Sequence, residues 1–133
     1  MALVEFVNDS APYLNAENLN KIQERNVYST NEVVIGKWVD NKPIYKKTFV
    51  GSITDGTILI QNVGVLVNAY GSGNYEGGII RQLPYYEFYN NNNYLINVHV
   101  NNNNEIYFAT LAGGLPTTVY NVALTLEYTK TTD

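Results

Sequence analysis

The stretch Val119-Tyr-Asn-Val-Ala-Leu-Thr-Leu-Glu-Tyr128 places Tyr120, Val122, Leu124, Leu126 and Tyr128 at every second position. Successive side chains of a β-strand point to opposite faces, so an apolar period of two belongs to a strand with one buried face. This segment is therefore expected to be a core strand. The chain before it reads the same way. Tyr94, Ile96, Val98 and Val100 share one face of a strand, the loop Asn101–Asn104 follows, and Ile106–Leu111 returns as the hairpin partner. Upstream lie the short β-rich runs Thr57–Gln61, Val63–Tyr70, Ile79–Leu83 and Tyr85–Tyr89, with Gly71–Gly78 read as a loop and Asn90–Asn93 as a turn.

Composition agrees with the patterning. Val (14), Ile (10), Thr (11) and Tyr (12) are the residue types that fit a pleated, half-buried surface. Short strands divided by Gly and Asn clusters predict an all-β fold, an antiparallel β-sandwich of jelly-roll-like form. A chain of 133 residues suits one compact domain, placed here at 28–133. One stretch departs from the pattern. In Asn15-Ala-Glu-Asn-Leu-Asn-Lys-Ile-Gln-Glu-Arg25, Asn15 is an N-cap candidate, and Leu14 and Leu19 stand at the staple positions. A short helix over about 16–25 is expected there, within an N-terminal connecting segment, 1–27. Its narrow apolar stripe, Leu19 and Ile22, is too thin for a coiled coil.

Several function classes drop out on charge and residue type. The net charge is −4 with two Arg, which does not supply a phosphate-neutralising patch, so no nucleic acid is expected as a partner. Zero Cys removes disulfide frameworks, cysteine nucleophiles and thiolate metal sites. No apolar run approaches the roughly 20 residues that span a bilayer, so membrane insertion is not expected, and Met1–Ser10 lacks the basic start of a secretory signal. Charged residues are only 15% of the chain and Asn supplies 20 positions, so the polar surface is built largely from amides and hydroxyls.

Glu32–Val39 and Pro43–Val50 flank Asp40-Asn41-Lys42 and predict a hairpin, with Asn41 in left-handed geometry and Pro43 at the start of the returning strand. Within it, Val34-Ile-Gly-Lys-Trp-Val-Asp-Asn-Lys-Pro-Ile-Tyr-Lys-Lys47 resembles a segment common in tail fibres and receptor-binding proteins of tailed phages. The customary Gly of that segment is Asn41 here. Ala11-Pro-Tyr-Leu-Asn-Ala-Glu-Asn-Leu-Asn-Lys-Ile22 resembles the connecting segment just upstream in such fibres, and together the two motifs cover about 8–50. The resemblance implies a homotrimeric β-sandwich head domain at the virion's tail tip, made in the host cytoplasm. Its partners would be bacterial surface carbohydrate, further copies of itself and other phage tail proteins.

Candidate sites follow from residue chemistry. His99 is the only His, so any Ser-His-Asp relay would have to use it, and its strand position reads as surface or interface. Asp40, Asp55, Glu76, Glu87, Glu105 and Glu127 are scattered singly, and none forms the facing pair that glycosidase chemistry needs. No catalytic residue, metal ligand or cofactor is assigned. The Asn runs 90–93 and 101–104 could offer calcium amide carbonyls and hold no carboxylate themselves, although Glu87 and Glu105 lie close, and solvated turns are the simpler account. Tyr85-Tyr-Glu-Phe-Tyr-Asn-Asn-Asn-Asn-Tyr94 is more informative. Rigid rings beside adaptable amides suit a polar ligand: a Tyr ring lies on the apolar face of a sugar while amides meet its hydroxyls. Tyr85, Tyr86, Tyr89, Asn90, Asn92 and Tyr94 are the ligand-binding candidates, joined by Asn74 and Tyr75 of the Gly71–Gly78 loop. The same run also reads as a strand with some buried rings and its turn. Trp38 and Tyr45, within the hairpin, are assigned to packing or subunit contact. The leading expectation is non-enzymatic, multivalent attachment to surface carbohydrate. The alternative is a structural tail or baseplate component making protein contacts, and the weakest is a polysaccharide depolymerase.

Overall fold

A computed structural model describes Ala16 and residues 27–75 and 78–133. The helix expected over 16–25 therefore lies, Ala16 apart, outside the described residues, as does Glu76. From Val27 onward the described chain is strand, turn and irregular connection.

Ten strands follow in order: β1 (Val33–Lys37), β2 (Pro43–Thr54), β3 (Ile58–Ile60), β4 (Val63–Asn74), β5 (Ile80–Leu83), β6 (Tyr85–Tyr89), β7 (Asn92–Val100), β8 (Ile106–Ala112), β9 (Leu115–Pro116) and β10 (Thr118–Lys130). They form two antiparallel sheets, one ordered β1-β2-β10-β4-β5 and the other β3-β8-β7-β6, with the short β9 paired to β8. The predominantly β, antiparallel reading of the sequence holds. Both sheets contribute to one core: Ile53, Val63, Leu83, Val122, Leu124, Leu126 and Tyr128 from the first, Ile96, Val98, Ile106 and Phe108 from the second. Each such side chain, fully buried, contributes roughly 1.5–3 kcal/mol relative to exposure.

The β1–β2 hairpin forms as its sequence requires. Asn41 takes φ of 70°, its N–H donates to the Trp38 carbonyl at 2.9 Å, and Asp40 Oδ1 accepts from the Lys42 N–H at 3.0 Å. Pro43 opens β2 opposite Lys37. The β10 alternation holds from Val122 to Tyr128 and breaks before it. Asn121 sits at φ of 52° and the pairing with β2 shifts register between Val119 and Val122. The inserted residue reverses the phase, as a β-bulge does. Val119 is therefore fully buried, and Tyr120, expected inside, is 37% exposed.

A second correction concerns Gly71-Ser-Gly-Asn74. The expected loop begins later, because β4 continues to Asn74. Its glycines mark close approach: a Cβ at Gly71 would lie 2.0 Å from the Ala123 carbonyl oxygen on β10. Small residues let the strands meet there, and nothing about the sequence makes them a break.

At the other end of β10, Tyr45 and Tyr128 stack with ring centroids 6.0 Å apart. Tyr45 donates to Asp133 Oδ2 at 2.7 Å, while Tyr128 and Lys130 both donate to the Glu32 carboxylate. The Asp133 hydrogen bond, with burial, pushes the Tyr45 phenol up to about 12. Burial first, then Glu32, raises Tyr128 as well. Tyr45 thus ties Asp133 back to β2.

A candidate ligand groove between the edge strands

β5 and β6 are the outer strands of their two sheets and are consecutive in the chain, joined at the cis Leu83–Pro84 bond. Leu83 is buried, so the period of two turns Arg81 to the same inner side. On β6, Tyr85 stands opposite the buried Ile96, which places Tyr85, Glu87 and Tyr89 on the inner face. Their cross-strand partners Tyr94 and Asn92 share that face. Toward the β6–β7 turn the face emerges into solvent, and Tyr89 is 59% exposed. Tyr75, Arg81, Glu87, Tyr89 and Tyr94 line an open groove of about 290 Å³ there.

The groove's geometry is set by its tyrosines. Tyr75 follows directly on β4, its hydroxyl donates to the Leu95 carbonyl at 3.0 Å, and its ring meets Tyr94 edge-on at 6.2 Å. Burial pushes its phenol up to about 12. The Arg81 guanidinium lies 5.3 Å over the Tyr85 ring, and the Tyr85 hydroxyl donates to Glu87 Oε2. Arg81 and Glu87 form no ion pair with each other. The groove therefore offers a cation with open donors, a carboxylate with open lone pairs, and three rings presenting apolar surface.

The structure separates the eight expected binding residues. Tyr75, Tyr89 and Tyr94 line the groove, and Tyr85 supports Arg81 beside it. Tyr86 lies on the opposite face of β6, 66% exposed, donating to Asn93 Oδ1 at 3.0 Å. Asn90, at φ of 50°, forms with Asn91 the two-residue turn, and Asn92 braces it by donating from Nδ2 to the Asn90 carbonyl at 3.4 Å. Asn74 is engaged with Asn121 Nδ2 at 3.1 Å. The expected turn over 90–93 is thus two residues long, because left-handed Asn suits the tight hairpin turn and frees Asn92 and Asn93 for β7.

The other candidates have structural roles. Asp55 Oδ1 accepts from the Thr110 N–H at 2.8 Å, and Glu105 Oε1 accepts from Asn101 Nδ2 at 3.1 Å. Asn101 Oδ1 in turn accepts from the Asn103 and Glu105 N–H groups, at 2.9 and 3.0 Å. That run is a self-capped turn. His99 is exposed on the outer face of β7, its ring 5.0 Å from Tyr107. Among the described residues no three His, Cys, Asp or Glu side chains gather as metal ligands. Residue chemistry along the chain does not single out Arg81; its spacing of two from Leu83 is the sequence signal that places it on the inner face. Compared with known proteins, the chain matches no protein-family model, no curated protein and no solved structure.

Proposed function

We propose that this chain is the non-enzymatic head domain of a tailed-phage tail fibre or receptor-binding protein, attaching the virion to bacterial surface carbohydrate. In this reading the two sheets form a β-sandwich, the N-terminal segment contributes a short helix, and three copies assemble. The groove carries the carbohydrate part: Tyr75, Tyr89 and Tyr94 offer apolar surface to a sugar ring, and Arg81 and Glu87 offer a donor and an acceptor to its substituents. The fibre-like segments over 8–50 carry the virion part. An open groove binds weakly alone, and three on one fibre raise avidity by roughly 10²–10⁴ where a glycan array spans them. A glycan array probed with the native chain and with Tyr89→Ala tests this. Binding to at least one bacterial saccharide, weakened by the substitution at unchanged melting temperature, is expected. Silence across the array refutes it.

One observation favours a second reading, a structural tail component. On the side of β6 away from the groove, Tyr86 and Phe88 are 66% and 61% exposed. Aromatic side chains on an uncovered sheet face suit a protein contact. In that case Tyr86→Ala and Phe88→Ala abolish incorporation into tails, and saccharide binding is absent.

A further inference from the structure

Arg81 is an inward-facing cation whose donors the protein leaves largely unused. Its guanidinium carbon lies 5.3 Å over the Tyr85 ring, and its one hydrogen bond within the described chain is a long one, from Nη1 to the Ile79 carbonyl at 3.4 Å. Glu87 shares the groove and would be the natural partner, yet its carboxylate takes the Tyr85 hydroxyl instead. Tyr85 thereby holds the cation on its ring and the anion on its hydroxyl, and keeps the two apart. A guanidinium with its other donors open retains the planar fork that grips a carboxylate through two parallel hydrogen bonds.

We infer that the groove's ligand is an acidic sugar, a pyranose carrying an exocyclic carboxylate, with Arg81 as its anchor. This rests on the carbohydrate reading above and adds the charge of the ligand to it. The carboxylate meets the Arg81 fork. The ring lies against the tyrosines, and the Glu87 oxygen not engaged by Tyr85 accepts from sugar hydroxyls, which carry no charge to repel it. A groove of about 290 Å³ is at the small end of ligand sites, room for one or two sugar rings. An inorganic anion alone would satisfy Arg81 and leave the rings unused.

Calorimetric titration of the native chain with trigalacturonate, with its methyl ester and with a neutral galactose oligomer isolates the charge, because ester and acid share shape and hydroxyls. The free acid is expected to bind at least about ten-fold tighter than the ester, the worth of one charge-assisted hydrogen-bond pair. Arg81→Gln should remove that preference, and Arg81→Lys should restore part of it. Equal binding of acid and ester by the native chain overturns the inference, as does a preference that survives Arg81→Gln. The comparison on the native chain stands even where a variant fails to fold. Neutral-sugar binding lost in Tyr89→Ala without acid preference sinks this inference and leaves the carbohydrate reading intact. Absence of binding to all three sugars overturns the inference, and silence on the wider glycan array removes the carbohydrate reading as well.

Discussion

Replacing Gly71 by Ala tests the strand packing on which the groove depends. Gly71 pairs with Leu124 on β10 and with Leu83 on β5, so it sits where three strands of one sheet are tied together. Its φ is 156°, and an added Cβ would stand 2.0 Å from the Ala123 carbonyl oxygen and 2.9 Å from Leu124 Cα. Both neighbours are backbone, so no side chain can rotate away. Relieving the overlap requires β4 and β10 to separate by about 1 Å or more, which stretches their shared ladder of hydrogen bonds. Overpacking and backbone strain together cost on the order of 3–5 kcal/mol, a large share of the roughly 5–15 kcal/mol that stabilises a domain. At this chain length that lowers the melting temperature by on the order of 10–20 °C. Gly36→Ala is the control, because nothing lies within 4 Å of its added Cβ. It should be neutral within about 0.5 kcal/mol or slightly stabilising. Thermal melts followed by circular dichroism read both. A Gly71→Ala protein that melts within a few degrees of the native chain would show that β4 and β10 do not approach as described.

Gly73→Ala should cost less, about 1–3 kcal/mol, because its Cβ would crowd side-chain and not backbone atoms, the buried Val119 Cγ1 at 2.6 Å and Val122 Cγ2 at 3.2 Å; urea titration against Gly71→Ala gives the order. Asn41→Gly should preserve stability and Asn41→Val should lose about 1–2 kcal/mol, since φ of 70° suits Gly and strains a β-branched residue; equal melting temperatures for the two would refute this. No well-formed hydrogen bond ends on the buried Thr110 hydroxyl, and the Tyr75 phenol stands near it, so Thr110→Val should be neutral or stabilising by about 1 kcal/mol, and a clear loss in urea titration would show that the Tyr75 contact is a working bond. Alkaline titration is the fourth test. Tyr45 and Tyr75, at about 12 in the fold against an ordinary 10, keep their protons where the unfolded chain loses them. Stability is therefore intact below pH 10 and falls as pH rises through 10 toward 12; Tyr45→Phe should flatten that fall, and an unchanged slope would contradict the shift.

The sequence made legible what is local. Asp40-Asn41 announces its turn because the side-chain cap and the left-handed residue act within three positions, and Leu124, Leu126 and Tyr128 alternate because that face of β10 is buried from Val122 to Tyr128. The phase of Tyr120 was not legible. It depends on the bulge at Asn121, which is completed across the sheet by Gly51 at φ of 109°. Gly71 failed for a related reason: a glycine that ends a strand and one that admits a neighbouring strand look alike until the neighbour is in place. The candidate site was half legible. Its ring-and-amide character was visible over 85–94, but the sorting of those rings required knowing that Ile96 is buried opposite Tyr85. The amides then proved to be the turn's own supports, and the groove's cation, Arg81, came from the strand before.

The groove's charged pair has a competing explanation in the mechanics of sheets. Edge strands expose unpaired backbone groups, and an inward-pointing charge is one device that prevents two edges from joining. Arg81 and Glu87 sit on the edge strands β5 and β6 and fit that description. Edge protection asks only that a charge be present and wet, and it is served equally by Lys or by a mobile side chain. It gives no reason for Tyr85 to hold one partner on its ring and the other on its hydroxyl, or for Tyr75, Tyr89 and Tyr94 to converge on the same opening. Ordering those side chains costs conformational entropy, about 0.5–2 kcal/mol for each long one. A solvent-facing edge recovers nothing for that ordering, whereas a ligand that needs a fixed cation beside a ring recovers it on binding. The two roles are compatible, since a groove lined by charge resists a neighbouring strand until a polar ligand fills it.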